Sequence, residues 1–176
     1  IAAFAGYTTV KVQLAGEFDL GLWGSFLFAI LLGVGLGSVN GFFISRFRLP
    51  TLIVTLGTQG IFQGVLLAYV GSQYIANLPK GMASASTVTL ISAPTETGTT
   101  SLHVMVVPAI ALVILMMWML NRTMFGRSIY AIGGDEEAAR RAGINVRSVQ
   151  MRVYVLAGVL AAFAGMLYMI MGRSAT

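Results

Sequence analysis

Apolar and polar positions divide the chain into four long runs with no Asp, Glu, Lys or Arg, at 20–44, 51–70, 103–120 and 153–171. A helix needs about 20 apolar residues to cross the hydrocarbon core of a bilayer. Buried helices of soluble proteins rarely run so far without a charge. Four such runs in succession predict an all-α integral membrane protein, a polytopic helical bundle. Residues 1–10 read as the tail of an apolar segment already under way, and "GRSAT" at 172–176 stops one step beyond a hydrophobic run. No cationic stretch or small-residue cleavage site marks a signal peptide, and the chain reads as an incomplete portion of a longer one.

Within the runs, small residues recur one helical turn apart. Gly33, Gly37 and Gly41 form one row, Gly60 and Gly64 another, and Gly158, Ala161, Ala162 and Gly165 a third. Such rows let helix backbones approach closely in lipid. Some of these glycines could instead line a pathway or permit bending. The stretch "PTLIVTLGTQGIFQG" at 50–64 combines a leading proline with three glycines and three threonines, and predicts a broken or kinked helix. Asn40, Thr55, Thr58 and Gln63 are the polar candidates for a translocation path. For Asn40 and Gln63 the competing reading is a hydrogen bond between helices.

Composition supports the membrane reading. The chain is 57% hydrophobic with a mean hydropathy of +0.84, and only 10% of its residues are charged. Its net charge of +5 is unevenly placed. Arg46 and Arg48 lie between the first two runs; Arg122, Arg127, Arg140, Arg141, Arg147 and Arg152 lie between the last two. Lys11, Lys80 and Arg173 alone fall elsewhere. The positive-inside rule then puts 121–152 in the cytoplasm as a loop and 71–101 outside. Trp23, Tyr69 and Tyr168 fall near outer ends of spans, Trp118 and Tyr154 near inner ends, as an aromatic belt requires. In a membrane protein this basic excess orients loops, so no nucleic acid is expected as a partner.

Several chemistries find no support. The chain has no cysteine and a single histidine, His103, at a span end with no second metal ligand nearby in sequence. Gly35 and Gly37 mimic part of a dinucleotide fingerprint but sit inside an apolar run, where no strand precedes them. No phosphate-binding loop motif occurs. The sequon at 121–123 falls on the cytoplasmic side. Intramembrane carboxylates or lysines, expected of ion-coupled carriers and many channels, are absent from these runs.

The charge that exists is concentrated. In "GGDEEAARRAGINV" at 133–146, Asp135, Glu136 and Glu137 precede Arg140 and Arg141. Acid at a helix N-terminus and base at its C-terminus both oppose the macrodipole. Glu136–Arg140 and Glu137–Arg141 are favourable i, i+4 pairs, and Gly143 stands where a left-handed cap is wanted. The order is that of a short self-stabilised helix, which would otherwise be marginal in water. Ala138, Ala139 and Ala142 keep its middle small, as close docking to another surface would use. A plain solvated linker between two spans remains the competing reading.

Here the sequence resembles a known family. "EAARRAG" at 137–143 is similar to the E-A-A-x-x-x-G core of the loop by which permease subunits of bacterial ABC importers contact their ATPases. More specifically, "FGRSIYAIGGDEEAARRAGINV" at 125–146, "NGFFISRFRLPTLIVTLGT" at 40–58 and "GVLAAFAGMLY" at 158–168 resemble, in order, permeases of the ribose, galactose, arabinose and autoinducer-2 type. Many importers end the ATPase-contact pattern in I-x-L-P; here "VYVL" at 153–156 lacks the proline, which favours sugar permeases. Asp135 stands where Asn is common and keeps the helix cap. "FDLGLWG" at 18–24 lies too near Asn40 to be the family's early I-D-L-S-x-G signature, and reads as an external loop entering a helix.

The resemblance implies the ABC importer permease fold in the bacterial inner membrane, with no catalysis by this chain. It implies a cytoplasmic ATPase that carries ATP and magnesium, an external solute-binding protein, and a second permease copy, identical or paralogous. Asp135, Glu136, Glu137, Ala138, Ala139, Arg140, Gly143 and Ile144 would form the ATPase-coupling segment. No cofactor or metal belongs to this chain on that reading. The solute expected is a monosaccharide or similar small polar molecule. The alternatives are a branched-chain amino acid or nucleoside permease, or a channel or scaffold without an ATPase.

Overall fold

The computed structural model describes residues 1–14, 21–47, 49–70, 89–95 and 98–172. Arg48, Lys80, Arg173, most of 71–101 and the start of "FDLGLWG" lie outside them. The elements are α1 (Ala2–Leu14), α2 (Gly21–Phe47), α3 (Thr51–Val70), strands β1 (Thr89–Thr95) and β2 (Gly98–His103), α4 (Val106–Arg122), α5 (Met124–Gly134), α6 (Glu136–Arg141) and α7 (Val146–Met171). Helices α2, α3 and α7 are long and apolar enough to cross a membrane. The pair α4–α5 passes the same test, bent by 72° at its break.

The bundle is organised around α7, which packs along α2 and against α1. The contact with α2 is made through glycine. A Cβ on Gly37 would lie 2.5 Å from the Tyr154 carbonyl oxygen and 3.2 Å from Gly158 Cα; one on Gly33 would lie 2.7 Å from Ala162 Cβ. Gly158 answers from the other side, its missing side chain leaving room for Gly33 and Gly37. Further along, Gly165 leaves room for the Ala2 carbonyl of α1. Val10, Ala29, Met105, Met166 and Ile170 fill the core beyond these contacts, and the Phe26 and Phe163 rings lie 5.3 Å apart. Elsewhere the surface is apolar. Along α4, Val107, Ile110, Val113, Ile114, Met117 and Trp118 are all exposed, a covering that suits lipid rather than water.

Several expectations need correction. Helix α3 runs unbroken from Thr51 to Val70, so the expected break is absent. Pro50 precedes its first turn, where a missing N–H costs no intrahelical bond. The Thr55 and Thr58 hydroxyls donate to their own helix, at 2.9 Å to the Thr51 and Val54 carbonyl oxygens. Gly60 and Gly64 do not pack: nothing described lies within 4 Å of a Cβ built at either one.

Segment boundaries also shift. The loop expected at 71–101 includes an antiparallel strand pair, with Thr95 opposite Gly98 and an irregularity between Thr89 and Ile91. The run 103–120 begins in β2 and turns helical at Val106. The stretch 121–152 is mostly helix, holding α5, α6 and the first turns of α7. The apolar tail at 1–10 belongs to α1, which continues to Leu14.

Candidate functional site

Two features carry the candidate residues: the charged helix α6 with its joints, and a cavity bordered by α1, α2, α3 and α7. The first begins at Thr123, where α4 ends. The Thr123 hydroxyl donates to the Met119 carbonyl oxygen at 2.6 Å and accepts from the Gly126 N–H at 3.2 Å, so it terminates one helix and caps the next. Gly126 is buried against the Leu120 carbonyl, where any side chain would collide. These two residues permit the sharp turn into α5.

Asp135 is shared between the next two helices. Its backbone N–H donates to the Ala131 carbonyl oxygen at 3.1 Å, closing α5. Its carboxylate accepts from the Glu137 and Ala138 N–H groups at 2.8 and 3.1 Å, opening α6. Arg140 pairs with Glu136 at 2.7 Å and Arg141 with Glu137 at 2.9 Å. Both pairs are well exposed, so each contributes only about 0.3–0.5 kcal/mol. The Asp135 cap stabilises α6 more than either pair, by about 1 kcal/mol.

The other end of α6 closes by a Schellman motif. The Gly143 N–H donates to the Arg140 carbonyl oxygen at 3.0 Å, and the Ile144 N–H reaches back to Ala139 at 3.1 Å. Gly143 takes φ +85°, the left-handed region that side chains resist. Asn145 then caps α7, its Oδ1 accepting from the Ser148 N–H at 3.2 Å. Of the three alanines only Ala139 is buried. Ala138 and Ala142 are exposed, as are Glu136, Glu137, Arg140, Arg141 and Gly143, while Ile144 is half-buried.

The cavity gathers all four polar candidates. Asn40 from α2 and Thr55, Thr58 and Gln63 from α3 line a space of about 440 Å³. Sequence reasoning missed Gln59, Phe62 and Tyr154, which line it too. Gln59 was within reach: Thr55, Gln59 and Gln63 recur every four residues, a polar stripe along one helix face. Tyr154 could not be found that way, since its neighbours are contributed by other helices. Its hydroxyl donates to Thr51 Oγ1 at 3.0 Å, tying α7 to the start of α3. The Phe4 and Phe62 rings, 6.0 Å apart, bring α1 to the same space. Asn40 makes no interhelical bond through its Oδ1, which is buried and has no partner. Among the described residues no group of three or more His, Cys, Asp or Glu side chains could hold a metal ion.

Long apolar helices packed through glycine, bordering a partly open space with a few polar side chains in a mainly apolar wall, are the build of a multi-pass membrane protein. The family model described as "Branched-chain amino acid transport system / permease component" matches residues 1–176, and the chain belongs to that family. Its sequence is similar to the autoinducer 2 import system permease protein LsrC of Yersinia pestis (strain Pestoides F), with 34% identity over 168 residues. That match covers 96% of this chain and 45% of that protein. LsrC of Yersinia pseudotuberculosis serotype IB (strain PB1/+) is similar to the same degree, 34% over 168 residues, with the same shares covered. The chain thus spans about half the length of the curated relatives it matches. No solved structure matches it. The resemblance to bacterial ABC importer permeases of the sugar and autoinducer-2 type therefore extends over nearly the whole chain, and with it the placement in the bacterial inner membrane.

Proposed function

We propose that this chain is part of the membrane-spanning subunit of an ATP-driven, binding-protein-dependent importer for a monosaccharide or similar small polar solute. The family match and the similarity to an autoinducer 2 import permease support this reading. The observation that carries it is the build of α6. It is a six-residue helix with its charged side chains exposed, capped at both ends by side chain and backbone. A mere linker has no need of such definition.

On this reading 121–152 faces the cytoplasm, and α6 seats in a groove on a separate ATPase subunit. ATP binding there closes the ATPase pair and displaces α6. Through the Gly143–Asn145 joint the displacement reaches α7, whose Tyr154 and Ala157 border the cavity. The two ATPase states thereby favour two arrangements of the helices, opening the path to one side or the other. An external binding protein delivers the solute, and a second permease copy completes the path.

The test is the double variant Glu137→Arg with Gly143→Trp in the full-length importer. Solute uptake by cells should fall at least about tenfold, a loss of some 1.4 kcal/mol in coupling, while permease levels in the membrane hold. Uptake at the parental rate with both changes would remove α6 from the mechanism. Failure of the parental permease to co-purify with any ATPase would favour a channel or scaffold instead.

A further inference from the structure

The helices around the cavity are not held alike. Helices α2 and α7 meet backbone to backbone, and Tyr154 sits inside that contact. A Cβ on Gly37 would lie 2.5 Å from its carbonyl oxygen, and one on Gly41 3.2 Å from its Cβ. Helix α3 has no such seat. Among its described residues only Val54 and Thr58 are buried, and Leu52, Ile53, Leu56, Ile61, Val65 and Leu67 stand exposed.

A ring contact and a hydrogen bond tie α3 to its neighbours among the described residues. Phe62 meets Phe4 of α1 with ring centroids 6.0 Å apart, an apolar contact without strong directional demands. The Tyr154 hydroxyl donates to Thr51 Oγ1 at 3.0 Å, and a hydrogen bond is lost once its partners part or turn. Thr51 opens α3, and Tyr154 lies about two turns into α7. Their contact sets the starts of both helices at one end, the end that carries Arg46, Arg147 and Arg152. The cavity lining then continues away from that end along α3, through Thr55, Gln59, Gln63 and Leu66. The bond therefore crosses from α7 to α3 at the basic end of the cavity. It is exposed, so water can replace either partner, and its net strength is small. Such a bond biases an arrangement without locking it.

We propose that Tyr154 and Thr51 form a releasable latch at the cytoplasmic mouth of the cavity. Made, the bond holds α3 against α7 and narrows that mouth. Broken, it frees the start of α3 from the fixed α2–α7 pair. Both are positioning residues, which act through α3 and not on the solute. The proposal rests on the permease reading above, including its cytoplasmic placement of 121–152, and adds to it the helix that moves.

The chain contains no cysteine, so Gln63→Cys places a single thiol in the cavity wall, about three turns beyond Thr51. In the full-length permease with its ATPase, any other cysteines replaced, a membrane-impermeant methanethiosulfonate reports access to that thiol. In inside-out vesicles, Tyr154→Phe, which keeps the ring, should speed modification several-fold, the scale of one hydrogen bond. Thr51→Val should do the same, and Thr51→Ser, which keeps the hydroxyl, should stay at the parental rate. Combining Tyr154→Phe with Thr51→Val should add nothing to either alone, because both remove one bond. In right-side-out vesicles none of these variants should speed modification. Unchanged rates in inside-out vesicles, multiplying effects in the double variant, or a failure of Thr51→Ser to match the parent would overturn the latch. So would an equal or exclusive rise from the outer side, the mark of general loosening or of the opposite orientation. The double variant in α6 and the ATPase co-purification test the permease reading separately. If those succeed and access does not change, the latch alone falls.

Discussion

Two rows of glycine look alike in the chain and end in opposite surroundings. Gly33 and Gly37 on α2 press against the backbone of α7, where Gly158 and Ala162 make room for them, and Gly41 makes room for Met151 and Tyr154 of the same helix. Gly57, Gly60 and Gly64 on α3 have nothing described within 4 Å of a built Cβ. Close approach is tightest where both helices carry small residues, as at Gly33 and Gly37 opposite Gly158. The polar row Thr55–Gln59–Gln63 turns another face of α3 toward the cavity, leaving the glycines outward. A row of small residues records a capacity for contact; the facing helix decides whether it is used.

Substitution can grade that difference. Gly37→Leu should be the most damaging, because the new side chain must displace the Tyr154 carbonyl. Overpacking of this kind costs about 1–3 kcal/mol or more, and the purified permease should melt markedly lower in detergent or fail to accumulate in the membrane. Gly6→Ala should cost less. Its Cβ would sit 3.1 Å from both the Gly165 carbonyl oxygen and Met169 Cγ, so a shift of a few tenths of an ångström suffices, and a loss of about 1 kcal/mol or less is expected. Gly60→Leu should change stability by no more than about 0.5 kcal/mol, as at other sites free of contacts. A melting shift for Gly60→Leu as large as that for Gly37→Leu would mean that the α3 row is buried in the complete importer.

The legibility of the chain follows the range of the forces involved. The apolar runs, the charge order at 135–141 and the need for a left-handed residue at Gly143 are local: each run contains a long helix, though with shifted ends, and the charged helix and Gly143 stand at the expected residues. The bend at Thr123 is harder to see. It depends on one hydroxyl bridging Met119 and Gly126, and on Gly126 meeting the Leu120 carbonyl. Nothing in the apolar pattern of 103–120 announces where the helix turns, so α5 reads as part of a loop. The break expected in α3 fails for the converse reason. Glycine and proline count as breakers in the sequence, although Pro50 sits before the first turn and the threonines bond within the helix. Polarity singles out Asn40, Thr55, Thr58 and Gln63 in the sequence, but only the packing of α2 against α3 brings Asn40 to the space the others line. Tyr154 joins them only through tertiary packing.

The joints around α6 have a mechanical consequence. Asp135 ends one helix and starts the next, and four residues, Ala142 to Asn145, carry the chain from α6 into α7 with their turns pinned by backbone bonds. A linkage built this way has almost no slack. In the proposed mechanism, a partner that gripped α6 would drag the base of α7 in the same stroke. Such a connection gives up tolerance of misalignment in exchange for synchrony. On the coupling proposed above, a push on the short helix and a rearrangement beside Tyr154 would belong to one event rather than two.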